Sequence, residues 1–163
     1  MAKGKITCSF QLNEKDFLNF NYAVNRRPLR FMLLYGFILM ALVIGFEAVK
    51  EKINVIPIMI GLFIIILSFG VTLFNMVRKS REGWAVNTAF HDPMTFAFDD
   101  KGFSCTTPKH SARVTWQKVT KVVWGKKIIV IMTGGTQAYL IPTRIENINE
   151  VKKVIWEYVS HKK

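Results

Sequence analysis

Two long apolar runs interrupt an otherwise mixed chain of 163 residues. The first, Phe31 to Phe46, reads FMLLYGFILMALVIGF, with Arg30 just before it and Glu47 just after. Sixteen residues fall slightly short of a hydrocarbon core about 30 Å thick. Leu29, Ala48 and Val49 lengthen the run, and Arg30 has the reach to snorkel to the headgroups. The second run, Ile53 to Val77, is long enough to span with some tilt, and Pro57 falls in its first turns, where a missing N–H costs little. Neither run carries the polar stripe of a helix packed in a soluble core. A single mid-span charge costs about 2.5–3.5 kcal/mol on insertion scales, and both runs are free of charge. The pattern predicts a two-span transmembrane hairpin over residues 29–78, closed by the short loop Glu47–Lys52. Gly36, Gly45, Gly61 and Gly70 are candidates for close helix contact within it.

On either side of the hairpin the periodicity changes. In the arm 1–28, Lys5 to Leu12 alternates, with Ile6, Cys8, Phe10 and Leu12 on one side, which predicts a short strand. Asn13 follows as a helix cap with Asp16 in the first turn, and Phe17, Phe20 and Val24 continue at helical spacing. A lone strand and short helix are unstable, so the arm is expected to pack on the C-terminal domain.

In the domain 79–163, the second helix runs on past Trp84 until His91-Asp92-Pro93 stops it. Strands are predicted over Met94–Asp99, Phe103–Thr107, Ala112–Trp116, Thr120–Trp124, Lys127–Thr133 and Thr136–Ile141. Asp100-Lys101-Gly102 is a turn whose glycine is expected at positive φ, Gln117–Val119 a single turn, and Gly134-Gly135 a tight hairpin. Asn147 and Glu150 make a capping-box-like pair before a helix with Ile148, Val151, Ile155 and Tyr158 on one stripe. Antiparallel strands closed by one amphipathic helix make this an α+β protein, and the helix-capped small β-barrel of the PH superfold fits the cytoplasmic part.

Charge adds an orientation. The formal net charge is +12, with +4 in residues 1–30, zero in the loop 47–52 and +8 in residues 78–163. Arg26, Arg27 and Arg30 precede the first span, and Arg78, Lys79 and Arg81 follow the second. By the positive-inside rule these flanks put both termini in the cytoplasm of a multi-pass protein of the cell membrane. The first apolar run begins too late for a cleavable signal. With a membrane at hand, the basic balance needs no nucleic acid to explain it. Cys8 and Cys105 show no paired spacing, so free thiols are expected.

The order of elements carries a likeness. A short strand and an Asp16-Phe17 helix, a two-span hairpin and a strand–turn–strand come first. Trp116-Gln117-Lys118-Val119-Thr120-Lys121-Val122, Ile141-Pro142-Thr143-Arg144 and a final helix follow. This resembles the YcxB-like membrane proteins of bacteria, whose C-terminal domain is similar to bacterial PH-like domains. The resemblance implies that Trp116 packs beneath the barrel and that Ile141-Pro142 closes the last strand. It brings no catalytic motif.

The residues themselves offer no enzyme signature either. His91, His110 and His161 lack ligand spacing, Asp99-Asp100-Lys101-Gly102 has too few ligands for a calcium loop, and Ser104 and Cys105 have no base partner. Catalytic, metal and cofactor sites are therefore not expected. A basic group does stand out: Lys118, Lys121, Lys126 and Lys127, with Trp124 beside them, form a candidate contact for an anionic surface. The expected function is a non-catalytic, membrane-anchored module whose PH-like domain binds a protein, a peptide or an anionic lipid surface. The alternative is an immunity protein against a membrane-acting peptide toxin. The expected partners are the lipid bilayer, anionic headgroups, a protein or peptide ligand, and a further copy of the chain as a homo-oligomer.

Overall fold

The computed structural model describes residues 6–50, 54–134 and 137–159. Strand β1 (Ile6–Phe10) leads into helix α1 (Glu14–Ala48), and helix α2 (Val55–Val86) follows. After a single 3-10 turn come β2 (Met94–Phe98), β3 (Gly102–Thr106) and β4 (Ser111–Thr115). A second 3-10 turn, Trp116–Lys118, leads to β5 (Val119–Trp124), β6 (Ile128–Thr133), β7 (Ala138–Pro142) and helix α3 (Ile148–Val159). The protein is α+β: two long apolar helices, a small antiparallel sheet region and a C-terminal helix.

The chain forms two compact units, one from Met1–Ala23 with Ser80–Lys163 and the other from Val24–Lys79. In the first, all strands pair antiparallel in two sheets, β1-β2-β3-β4 and β5-β6-β7. Strand β1, from the N-terminal arm, runs along β2 with Cys8 opposite Phe96. Phe96 in turn faces Cys105 on β3, and Cys105 faces Ala112 on β4. The long helices are thus inserted between two neighbouring strands of one sheet.

A closed barrel was expected from the strand pattern; among the described residues no ladder joins β4 to β5 or β1 to β7. The cause lies at Trp116. Its backbone N–H bonds to the Lys101 carbonyl (3.2 Å), its indole Nε1 donates to the Asp99 carbonyl (2.9 Å), and the ring turns inward. There it is 5% exposed and stacks on Tyr158 of α3, with centroids 5.3 Å apart and planes 8° apart. The chain leaves the first sheet to bury this ring. The core continues through Phe96, Phe98, Phe103, Leu140 and Ile155. Ile128 to Ile131 of β6 are buried at every position, as befits a strand covered on both faces.

Two local expectations change, and Asn147 gains a further contact. The arm's helix and the first span are one continuous α1, with Pro28 inside it. Proline removes the bond to the carbonyl four residues earlier, here Val24, where one unit gives way to the other. Gly102 does not adopt positive φ. It is needed for close approach, because a Cβ there would lie 2.0 Å from the Val114 carbonyl oxygen. Asn147 uses its Nδ2 to donate to the Thr7 carbonyl of β1 (2.7 Å), so its amide ties α3 to the arm. Lys5, the loop residues Glu51 and Lys52, Ile53, Gly135, Thr136, His161, Lys162 and Lys163 lie outside the described residues.

In the second unit, two of the four glycines meet the neighbouring helix. A Cβ on Gly36 would stand 3.2 Å from Ile65, and one on Gly61 3.3 Å from Met40. Gly45 and Gly70 face open space. The hairpin tip is organised by Glu47, which is 3% exposed. Its carboxylate accepts from the Lys50 ammonium and from the Asn54 backbone N–H at 3.1 Å. Asn54 Oδ1 then caps α2 by accepting from the Ile56 N–H at 3.1 Å. Both helices are long and apolar enough to cross a membrane.

Candidate functional site

The sequence predicts one cluster of basic residues; the structure spreads them along β5. Lys118 lies in the 3-10 turn, where its carbonyl accepts from Gly134 N–H (3.1 Å). Lys121 is exposed, just past a register shift opposite Met132. Lys126 and Lys127 form the tip of the β5–β6 hairpin, at the other end. The six-residue strand β5 that separates Lys118 from the tip is about 20 Å long. Only Lys126 and Lys127 share one end with Trp124.

That tip is rigidly held. Gly125 N–H donates to the Ile128 carbonyl (2.9 Å), and Thr143 donates its N–H to Lys127 O (3.0 Å) and its hydroxyl to Lys126 O (3.2 Å). A Cβ on Gly125 would lie 2.7 Å from Ile128 O and 3.2 Å from Ala23 Cβ on α1, so only glycine lets the tip close against the helix. Trp124 is 37% exposed and meets Trp156 of α3, with ring centroids 6.0 Å apart. Trp156 is 63% exposed. The sequence reading missed it, although the signal is there: stepping 100° per residue puts Trp156 on the side of α3 away from buried Val151 and Ile155.

One further residue next to the tip organises the unit. Arg144 Nη1 donates to both carboxylate oxygens of Asp16, and its Nη2 donates to the Gln11 carbonyl (2.7 Å). Asp16 is buried and closes a reciprocal box with Asn13: Asn13 N–H to Asp16 Oδ2 (3.0 Å) and Asp16 N–H to Asn13 Oδ1 (2.9 Å). The arm is therefore bolted to the end of β7.

Residues 98–155 match the family model for YcxB-like proteins. This YcxB-like segment begins at the end of β2 and reaches into α3, so it contains Trp116, the β5–β6 hairpin and Arg144. The arm and the two apolar helices lie outside it. No curated protein and no solved structure matches the chain.

Several other chemistry-bearing residues of the first unit make contacts of their own. Asp99 Oδ1 accepts from the N–H groups of Lys101 and Gly102, both at 2.9 Å, and Oδ2 accepts from Arg113 at 2.6 Å. His91 lies against Trp84, centroids 4.2 Å apart, with Nε2 3.0 Å from the Trp84 carbonyl. His110 N–H donates to the Thr107 hydroxyl (3.0 Å). Cys8 and Cys105 flank Phe96 two strand spacings apart, about 9.5 Å. That exceeds the roughly 7 Å limit for a disulfide between Cα atoms. Burial pushes both thiols up to about 11. Tyr139, edge-on to Phe103 at 5.0 Å, is likewise raised by burial and then by Cys105. The flanking Arg26, Arg27, Arg30, Arg78, Lys79 and Arg81 are all exposed, and Arg81 pairs with Glu14 at 3.1 Å.

Proposed function

We propose that the chain is a non-catalytic module anchored in the cell membrane by α1 and α2. In this reading its sheets and α3 form a cytoplasmic PH-like domain that binds a protein, a peptide or an anionic lipid surface. The observation that carries the anchor is exposure. Of the most hydrophobic stretch of α1 only 11% is buried in the protein, and of α2 none, whereas the apolar helix of a soluble core is mostly buried. Phe37, Phe46, Phe63 and Phe74 all stand outward. Without a covering phase such a surface is far larger than soluble monomers expose.

The PH-like reading is supported by the four-plus-three strand order, the orthodox antiparallel pairing and the capping helix with Trp116 on Tyr158. Orientation rests on the arginine and lysine flanks. In a variant with Cys8 and Cys105 replaced by alanine, single cysteines at Lys50 and Lys126 separate the outcomes. A membrane-impermeant thiol reagent added to intact cells should mark position 50 alone. Marking of position 126 overturns the orientation, and release of the chain by alkaline carbonate overturns the anchor.

A further inference from the structure

Trp124 and Trp156 are the two exposed tryptophans among the described residues, and their rings touch. Lysines border the pair. Lys126 and Lys127 follow Trp124 by two and three residues in the hairpin tip. Lys152 and Lys153 precede Trp156 by four and three residues, which makes them its neighbours on the exposed face of α3. Glu150 and Glu157 adjoin Lys153 at three and four residues' distance, on the side of it away from Lys152. Two indoles bordered by lysines at the hairpin tip and on α3 match the boundary of an anionic bilayer. Indole is stable with one end apolar and one end wet, and lysine stems lie along apolar surface while their charges reach phosphates.

The tether supplies the reach. Gly125 packs on Ala23, and Phe31, where the uncharged run begins, lies eight positions after Ala23. In helix that is at most about 12 Å, against about 5–8 Å for one headgroup layer, so the tip stays within a few ångströms of the outer edge of the headgroups.

We propose that the Trp124–Trp156 face docks on the anionic lipid surface beside the protein's own anchor, with both indoles at the boundary of headgroups and acyl chains. This rests on the reading of α1 and α2 as membrane spans. An acidic peptide would also answer the lysines, but the short tether and the indole pair favour lipid.

The full chain is reconstituted into vesicles of phosphatidylcholine with or without phosphatidylglycerol, brominated near the headgroup end of the acyl chains. Bromine quenching of indole emission is compared with that of the double variant Trp124→Phe, Trp156→Phe. The expected result is a quenched component in anionic vesicles that the double variant lacks and that high salt abolishes. Lys126→Gln and Lys127→Gln should each reduce the docked-to-undocked ratio by about five-fold. Indoles that stay open to aqueous acrylamide in anionic vesicles overturn the proposal. So does an acidic peptide that shields them where phosphatidylglycerol does not. Alkaline extraction of the same vesicles tells the two readings apart. A chain that resists extraction with its tryptophans in water loses only the docking face, and a chain that washes off loses the anchor as well.

Discussion

Single residues differ sharply in what their charge does for this fold. Arg144 meets a buried Asp16, whereas Arg113 meets Asp99 across a pair exposed by 59% and 27%. Removing Arg144 leaves a carboxylate in the interior short of its partner, at a cost of about 2–3 kcal/mol. Removing Arg113 loosens a surface pair worth about 0–1 kcal/mol. Denaturant titration of detergent-solubilised protein should therefore rank Arg144→Ala well below Arg113→Ala. Equal losses would mean that Asp16 is sustained by Asn13 alone. Both partners were visible in the sequence, Asp16 as a first-turn acid and Arg144 at the end of a strand motif. Their pairing was not, since 128 positions separate them and nothing in either local pattern refers to the other. The cysteines make a different case. Burial raises each thiol from an ordinary 9.0 to about 11, so the folded chain holds these protons more tightly than the unfolded chain. Their contribution is fully present below pH 9.0 and is lost as pH rises through about 11. Stability measured across that window should fall less steeply in Cys8→Ala, Cys105→Ala than in the native chain. A native-like slope in the variant would clear the thiols of any part in it.

Elements were more legible than their contacts. The strands from β2 to β7 follow alternation, apolar runs and Gly or Pro punctuation, signals that act within a few residues. That β1 belongs beside β2 is invisible to such signals, because more than eighty residues of chain lie between them. The same distance explains the open sheet: a strand count suggests closure, while the inward turn of Trp116 that breaks it is a packing event. The missing β1 has a direct consequence for any isolated domain. A fragment beginning at Ser80 lacks β1 and the aromatic contact of Phe17 with Trp84 and Phe90. It also lacks the Asp16 side of the Arg144 bolt. Asn21 Nδ2 and Ser80 Oγ are 3.2 Å apart, so residues 1–23 can be joined to 80–163 by a short Gly/Ser linker. The joined chain is expected to unfold cooperatively, and 80–163 alone is not. In the joined chain Trp116→Ala should cost about 3–5 kcal/mol, as for other buried aromatics. A cooperative fragment 80–163, or an unchanged melting temperature for the alanine variant, would contradict the sheet order or the burial of Trp116.

For the whole molecule, sheet continuity and charge constrain topology in different ways. Because β1 pairs with β2, any membrane crossed by the intervening chain must be crossed an even number of times. Two apolar helices satisfy this, and an arrangement with one helix across and the other on the surface does not. Pairing alone leaves open which side carries the sheets. In the proposed orientation, a cytoplasmic bias would come from Arg26, Arg27 and Arg30 before the first run and Arg78, Lys79 and Arg81 after the second, set against a loop of zero net charge. Since either trio exceeds the loop, replacing one trio with glutamine should leave the orientation unchanged. Replacing both removes the excess and leaves Lys50 and Lys52 as the nearest basic residues to the apolar runs. A population with position 126 open to an external thiol reagent is then expected. If the sixfold variant stays closed at position 126, the flanking charges do not set the orientation. In that case translocation of the strand-forming segments is itself the barrier.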